Sequence, residues 1–574
     1  MAEILLSPGV LSREIDSSFI AEQPPQIGAA IVGPTVFGPV RVPVTVTSYT
    51  DYVNRFGERE IIAGSGSYSY FTSIMAYNYF QNGGETLLVT RVVSGAYSPA
   101  SASVVGQDGT TNVFDVFTIS EGKAMNNKGT MSGTGALTSG STNNIRIQIV
   151  SPNTQSGTFN LYVRRGNDDD NAPAILETFT GLSMDPLDDN YVAKRIGDYK
   201  FTQVIVDGED SLQITGTYPN KSRYIRIGTV LKPTPQYLVG GVADSTYTGS
   251  IPGALGINIT GSFDGGVGSI VADAKFYDTI TTNNIQGVRP SDYTSSFNLL
   301  KSANDYQFNV LVAPGLNYNE HKETTGANLK GVLKNTENRG DSVFVLELTK
   351  YSSSANDAIA EASNIDSSYA AAYYPWVQTL DPATKQYVFC PPSVMIPSVF
   401  AYNDSVAYPW FAPAGINRGG LSTVIRAASK LSQTTRDNLY QAKVNPLATF
   451  PGQGVVVYGQ KTLQTKASAL DRLNVRRLLI QLKRQIGQIA NTLVFQQNDA
   501  STRNNFLAQV NPYLEGVQQQ QGLYAFKVVM DDSINNAAVI DRNELVGQIY
   551  LQPTKTAEFI YLNFNVTPTG ATFG

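Results

Sequence analysis

The chain has 574 residues, 42% hydrophobic and 16% charged, with a net charge of −5. That length exceeds a single hydrophobic core and predicts three or four domains, and the thinly spread acidic balance carries no footprint for nucleic acid or a membrane surface. One cysteine, Cys390, excludes an intramolecular disulfide and fits assembly in a reducing cytoplasm, while one histidine, His321, removes most His-based triads and His-rich metal sites.

The N-terminus lacks a basic segment followed by a long apolar one, so no signal peptide is expected, and no run of about 18 apolar residues suggests a transmembrane helix. Residues 4–15 are apolar and extended around a Pro8-Gly9 break, with Leu5, Val10 and Ile15 as candidate strand contacts. Residues 27–34 read as a buried strand leaving into a turn. Phe71, Ile74 and Met75 predict a helix over 67–81 that stops at Gly83-Gly84, and residues 86–93 follow as an apolar strand. Strand, helix and strand joined by short connections indicate an α/β unit.

From about residue 96 to 260, Gly, Ser, Thr and Asn dominate and helical periodicity disappears. Short strands are predicted at 113–119, 144–150, 158–163, 201–206 and 224–227. The α/β pattern returns near residue 263. Ser291 or Asp292 caps a helix carrying Phe297, Leu299 and Leu300, residues 308–315 and 341–348 are buried strands, and a helix is predicted over 356–372. The α/β body is therefore split, with the β-rich segment inserted into it.

A long helix is predicted over 471–495, with Val475, Leu478, Leu479, Leu482, Ile486, Ile489, Ala490, Leu493 and Val494 in one stripe. Arg472, Arg476, Arg477, Lys483 and Arg484 crowd its first half against a single acid, Asp471. The bland reading of these cations is a solvated face, and the functional one is a positive face for an acidic partner. The chain closes on a strand over 558–566. Ile560, Leu562, Phe564 and Val566 lie on one face, and Asn563 and Asn565 on the other. An apolar strand at a chain end can complete a neighbour's sheet, so two such ends suggest a polymer joined by strand addition.

Catalytic chemistry is not expected. There is no phosphate-binding G-x-x-x-x-G-K-[ST] loop, and Gly64-Ser65-Gly66-Ser67 lacks the nucleophile-elbow spacing. Asp168-Asp169-Asp170 lacks the spaced ligands of a calcium loop and reads as a solvated turn. Gly261-Ser262-Phe263-Asp264-Gly265-Gly266 reads as turn chemistry as readily as an anion cradle, Cys390 as a buried inert thiol, and His321 as a solvated loop residue. No catalytic, cofactor or metal residue is assigned. The insert keeps two other readings open, a glycan depolymerase working through paired carboxylates and a module that adheres to a host surface.

An ordered set of motifs carries a family resemblance. It begins with Ser7-Pro8-Gly9-Val10, Glu14-Ile15-Asp16, Gly33-Pro34-Thr35, Gly38-Pro39, Pro43-Val44, Phe56-Gly57, Phe80-Gln81-Asn82-Gly83-Gly84 and Arg91-Val92. It resumes with Tyr374-Pro375-Trp376, Asp381-Pro382-Ala383-Thr384, Pro391-Pro392-Ser393 and Trp410-Phe411-Ala412-Pro413-Ala414-Gly415. Asn445-Pro446, Phe450-Pro451-Gly452-Gln453-Gly454, Gly459-Gln460-Lys461-Thr462-Leu463, Asn474-Val475-Arg476-Arg477-Leu478 and Ala557-Glu558-Phe559-Ile560 complete it. In these the chain resembles contractile tail sheath proteins of myophages and related injection machines, over roughly residues 1–95 and 263–574. Val394-Met395-Ile396-Pro397-Ser398 departs from the smaller residues commoner there.

The resemblance implies a multidomain α+β and α/β fold with a sheath core built from both ends of the chain, a β-rich insert and extended arms. The expected division is a linking arm over 1–22, the first core part over 23–95, outer β-rich domains over 96–262, an α/β core part over 263–395, a C-terminal core part over 396–548 and a linking arm over 549–574. It also implies sixfold rings stacked around a tail tube, no cofactor, and partners comprising further copies, the tube protein, the baseplate and the terminator or neck proteins. The implied location is a virion tail assembled in the host cytoplasm. Contraction from a metastable extended state would drive the tube through the host envelope.

Overall fold

The computed structural model describes residues 28–62, 66–253, 262–268 and 283–561. Its centre is an eight-stranded sheet in the order Val44–Val46, Leu87–Arg91, Ala29–Gly33, Val310–Asn317, Val343–Glu347, Ala370–Tyr374, Val444–Phe450 and Gly454–Val457. The inner six strands are parallel and only the two short outer ones run antiparallel. A parallel sheet is covered on both faces, which is why its strands read as unbroken apolar runs. Ala29, Ile31, Val310, Val312, Val343 and Val345 point into one core, beneath helices Tyr49–Phe56, Phe71–Gln81 and Ile396–Val406. Ala30, Val32, Leu311, Phe344 and Leu346 point into the other, beneath helices Tyr293–Leu299, Leu329–Arg339 and Ala355–Ala362. Gly340 ends the helix Leu329–Arg339 in the left-handed region at φ +68°, its N–H donating to the Thr336 carbonyl.

Strands from before residue 92 and from after residue 309 thus meet in one sheet, and the chain between them builds separate β structure. Asn112–Glu121 pairs with Pro99–Val105 and Ile225–Val230, and Thr158–Arg165 with Ile145–Asn153 and Ile175–Ser183. These sheets share a core that includes Phe114, Phe159, Leu161 and Ile225. All five strands expected in the insert are present. A hairpin, Lys200–Val206 with Glu209–Thr215, lies back on the α/β body, where Asn298 and Lys301 bond Asp210 and Glu209.

Several expectations need correction. The helix expected over 356–372 ends at Ala362, and Ala370–Tyr374 is a fully buried parallel strand. Alanine favours helices, but parallel pairing with a strand on each side overrides that preference. Asp168 is not in a solvated turn: its carboxylate is buried against Arg164 at 2.7 Å and Arg146 at 3.4 Å. His321 is no loop residue in water. It is 1% exposed, both ring nitrogens lack a hydrogen-bond partner, and burial lowers its pKa against the pull of Glu320. Cys390 is buried, and burial pushes its thiol well up.

Candidate assembly site

The C-terminal part is built on two helices and one hairpin. The long helix runs from Leu473 to Asn491, shorter than expected at both ends. Leu473 and Ile480 pack into the core under the parallel sheet, while Leu478 and Leu482 belong to a separate cluster with Trp410, Phe506, Val510 and Leu514. The helix therefore rivets the body to helix Ala500–Gln519. On that second core lies the hairpin Leu523–Val529 with Gln548–Pro553, in which Phe526 opposes Leu551 and Val528 opposes Ile549. Among the described residues this sheet has only these two strands, so both of its edges are open. Tyr524 and Tyr550 are exposed.

Beyond Pro553 the chain runs without regular structure to Tyr561, so the described part of the expected terminal strand is not a strand. Phe559, Ile560 and Tyr561 are exposed, Ile560 by 75%. A lone strand has no ladder to bond with, and within one chain nothing pairs with this one among the described residues. Leu562, Phe564 and Val566, like Leu5, Val10 and Ile15, lie outside the described residues.

One residue of the departing segment is held tightly. The Glu558 carboxylate accepts from Tyr440 Oη at 2.5 Å, Arg472 Nε at 2.7 Å and Gln460 Nε2 at 3.0 Å. Gln460 also donates to Thr556 at 2.6 Å, and Lys461 Nζ lies 4.1 Å from the centre of the Tyr440 ring. Burial opposes ionisation of Glu558, but the bonds from Tyr440, Arg472 and Gln460 outweigh it and hold the carboxyl below its ordinary pKa. Burial and the Glu558 charge push the Tyr440 hydroxyl up. The sequence does hold a signal for this site. Glu558 shares its face with Ile560 and Leu562, so a charge at that position marks where the apolar face begins.

The five expected surface cations separate. Arg476 is 4% and Arg477 5% exposed, so neither can present charge to another molecule. Arg476 lies 4.0 Å above the Tyr369 ring and bonds Ser368, and burial lowers its pKa. Arg477 pairs with Asp404 at 2.5 Å beside the Phe400 ring. These side chains are spent on the chain's own packing, through partners some 70 to 110 residues away in sequence. Arg472 is engaged by Glu558 and by Asp471 at 3.0 Å. Arg484 donates to the Phe308 carbonyl at 3.2 Å and is half-buried, leaving Lys483 exposed beside Tyr369. With Arg339, Asp341 and Asn491 these two line an open cleft of about 400 Å³.

Comparison with known proteins places this architecture. The family model described as phage tail sheath protein central domain matches residues 286–463, and that of the phage tail sheath C-terminal domain matches residues 465–567. The tail sheath protein of Vibrio phage KVP40 is 41% identical over 216 residues, covering 38% of this chain and 32% of that protein. The tail sheath protein of Enterobacteria phage T4 is 40% identical over 210 residues, covering 37% and 32%. The chain thus spans about a third of the length of the curated relatives it matches. A sheath tail protein from Listeria innocua shares the fold, with a TM-score of 0.51 at 11% identity over 92% of this chain and 96% of that one.

Proposed function

Since the chain belongs to the contractile tail sheath family, we propose that it is a structural subunit that polymerises as stacked sixfold rings around a tail tube and contracts to drive that tube through the host envelope. The observation that carries this reading is the C-terminal end of the body: a two-stranded hairpin with both edges open, beside a departing segment that exposes the large apolar side chains Phe559, Ile560 and Tyr561. Open edges on one copy and an apolar terminal segment on the next satisfy each other by backbone pairing, which keeps copies linked while their bodies turn. The N-terminal arm, with Leu5, Val10 and Ile15, serves as a second link, and Leu562, Phe564 and Val566 continue the C-terminal one. Residues 96–262 face outward. Energy stored in the extended packing does the work, so no nucleotide, metal or other cofactor takes part, and the role is not enzymatic.

The partners on this reading are further copies, the tube protein, the baseplate and the terminator or neck proteins, within a virion tail. The positive face offered to the tube is narrower than the sequence suggests. Lys483, with Arg484 behind it, supplies the charge at the long helix, where pairs across a wet interface hold and yet break readily. Electron microscopy of the purified full chain beside a version ending at Lys555 tests the proposal. Long hollow tubes from the full chain and single copies from the shortened one are expected. Single copies from both, under conditions that favour assembly, would overturn it.

A further inference from the structure

Glu558 sits where the fixed body ends and the free segment begins, and it is bonded to three separate pieces of that body. Tyr440 comes from helix Gln433–Gln441 and Gln460 from the irregular segment after strand Gly454–Val457. Arg472 occupies the N-cap position of helix Leu473–Asn491 and has no capping bond of its own. The backbone locks the same corner: Leu473 N donates to Gln460 O at 2.8 Å and Thr462 N to Asp471 O at 3.0 Å. By contrast Phe559, Ile560 and Tyr561 are exposed immediately beyond it. A partly buried carboxylate with three donors, one of them a guanidinium, is a strong local anchor.

We propose that Glu558 is a positioning residue, the pin at which the C-terminal arm is fastened to its own body, so that the arm pivots beyond residue 558 and load from a linked neighbour enters the first turn of helix Leu473–Asn491. This rests on the reading of the arm as an inter-subunit link. The pin explains why the charge falls at the start of an otherwise apolar face. Without it, the arm beyond Thr554 would be held only by the bond from Gln460 to Thr556, and a neighbour's pull would slacken before it turned the body.

The titratable and charged groups around the Glu558 carboxylate are Tyr440, Lys461, Asp471 and Arg472. A carboxyl held below its ordinary pKa stabilises above the ordinary range and loses that contribution as pH falls through its lowered value. The test uses the full chain, its Glu558→Gln variant and the charge-reversed pair Glu558→Arg with Arg472→Glu. In the unassembled protein, Glu558→Gln is expected to speed exchange of the Leu473 and Arg476 amides, which donate to Gln460 O and Arg472 O, roughly tenfold or more, with the parallel strands unchanged. The reversed pair is expected to restore part of that protection. Assembled tubes of the variant are expected to form and then to fall apart at least several-fold faster than the parent above pH 5, the difference vanishing in stronger acid. Unchanged exchange in the variant would overturn the pin. Unchanged tube lifetime at every pH, with exchange altered, would overturn load transfer through it. Failure of the parent chain itself to form tubes is a different result and would overturn the linking arm rather than the anchor.

Discussion

The central sheet and the C-terminal hairpin are finished to different degrees. The eight-stranded parallel sheet is complete within one chain: helices cover both faces, and its outer strands, Val44–Val46 and Gly454–Val457, are only three and four residues long. Short antiparallel ends leave little edge for another chain to join. The hairpin Leu523–Val529 with Gln548–Pro553 has seven and six residues, one covered face and two open edges. A two-stranded sheet is marginal alone, and this one is carried by helix Ala500–Gln519 beneath it. On the proposed reading the contrast is a division of labour, in which one sheet makes the subunit a rigid unit and the other is completed by a neighbour.

Substitution in the closed sheet should have the largest effect on the lone subunit. Phe344→Ala removes a fully buried ring from a central strand and is expected to cost about 3–5 kcal/mol in urea unfolding of unassembled protein. A loss below about 1 kcal/mol would show that the parallel sheet is not the rigid unit.

A smaller effect concerns pH. Glu347, at the end of strand Val343–Glu347, is fully buried. Burial pushes its carboxyl up to about 7, against the Ser393 N–H that donates to it at 2.6 Å. Because the folded value lies above the ordinary one, the stability it contributes is complete below about pH 4.5 and is lost as pH rises through about 7. Burial also raises Glu60 to about 7, with Arg91 opposing, so the two slopes add. Glu347→Gln should remove one of them, on the order of 2 kcal/mol of the fall between pH 5 and 8. Unfolding titrations of the unassembled chain read this directly, and an undiminished slope in the variant contradicts it.

The smallest change to the subunit should have a large one on the assembly. Lys483→Glu alters an exposed side chain and is expected to shift subunit stability by less than about 0.5 kcal/mol, while weakening assembly on a tube. Tube-guided assembly at parental efficiency would exclude this helix as the tube contact.

The sequence showed these regions unequally, for physical reasons. Parallel strands such as residues 308–315 and 341–348 stand out because burial on both faces demands unbroken apolar runs. The apolar stripe of the long helix was equally visible, since Leu478 and Leu482 meet their cluster at helical spacing. Buried polar groups were not. Arg476 and Arg477 look like surface charge until Tyr369, Phe400 and Asp404 arrive from distant elements, and Asp168 looks like a turn until Arg146 and Arg164 enclose it. His321 gave no local sign of burial. Ala370–Tyr374 was hidden because alanine carries a helical preference that only the neighbouring strands overrule. The terminal arm shows the opposite limit: its alternation is plain in sequence, yet no described residue pairs with its described part, and on the proposed reading the partner lies in another copy.

Amide exchange on the assembled polymer against the single subunit tests this division most directly. The account predicts that residues 523–529 and 548–553 become strongly protected on assembly while Val310–Asn317 and Val343–Glu347 keep the protection they already have. Polymers that form with the hairpin amides still exchanging at the single-subunit rate would contradict it.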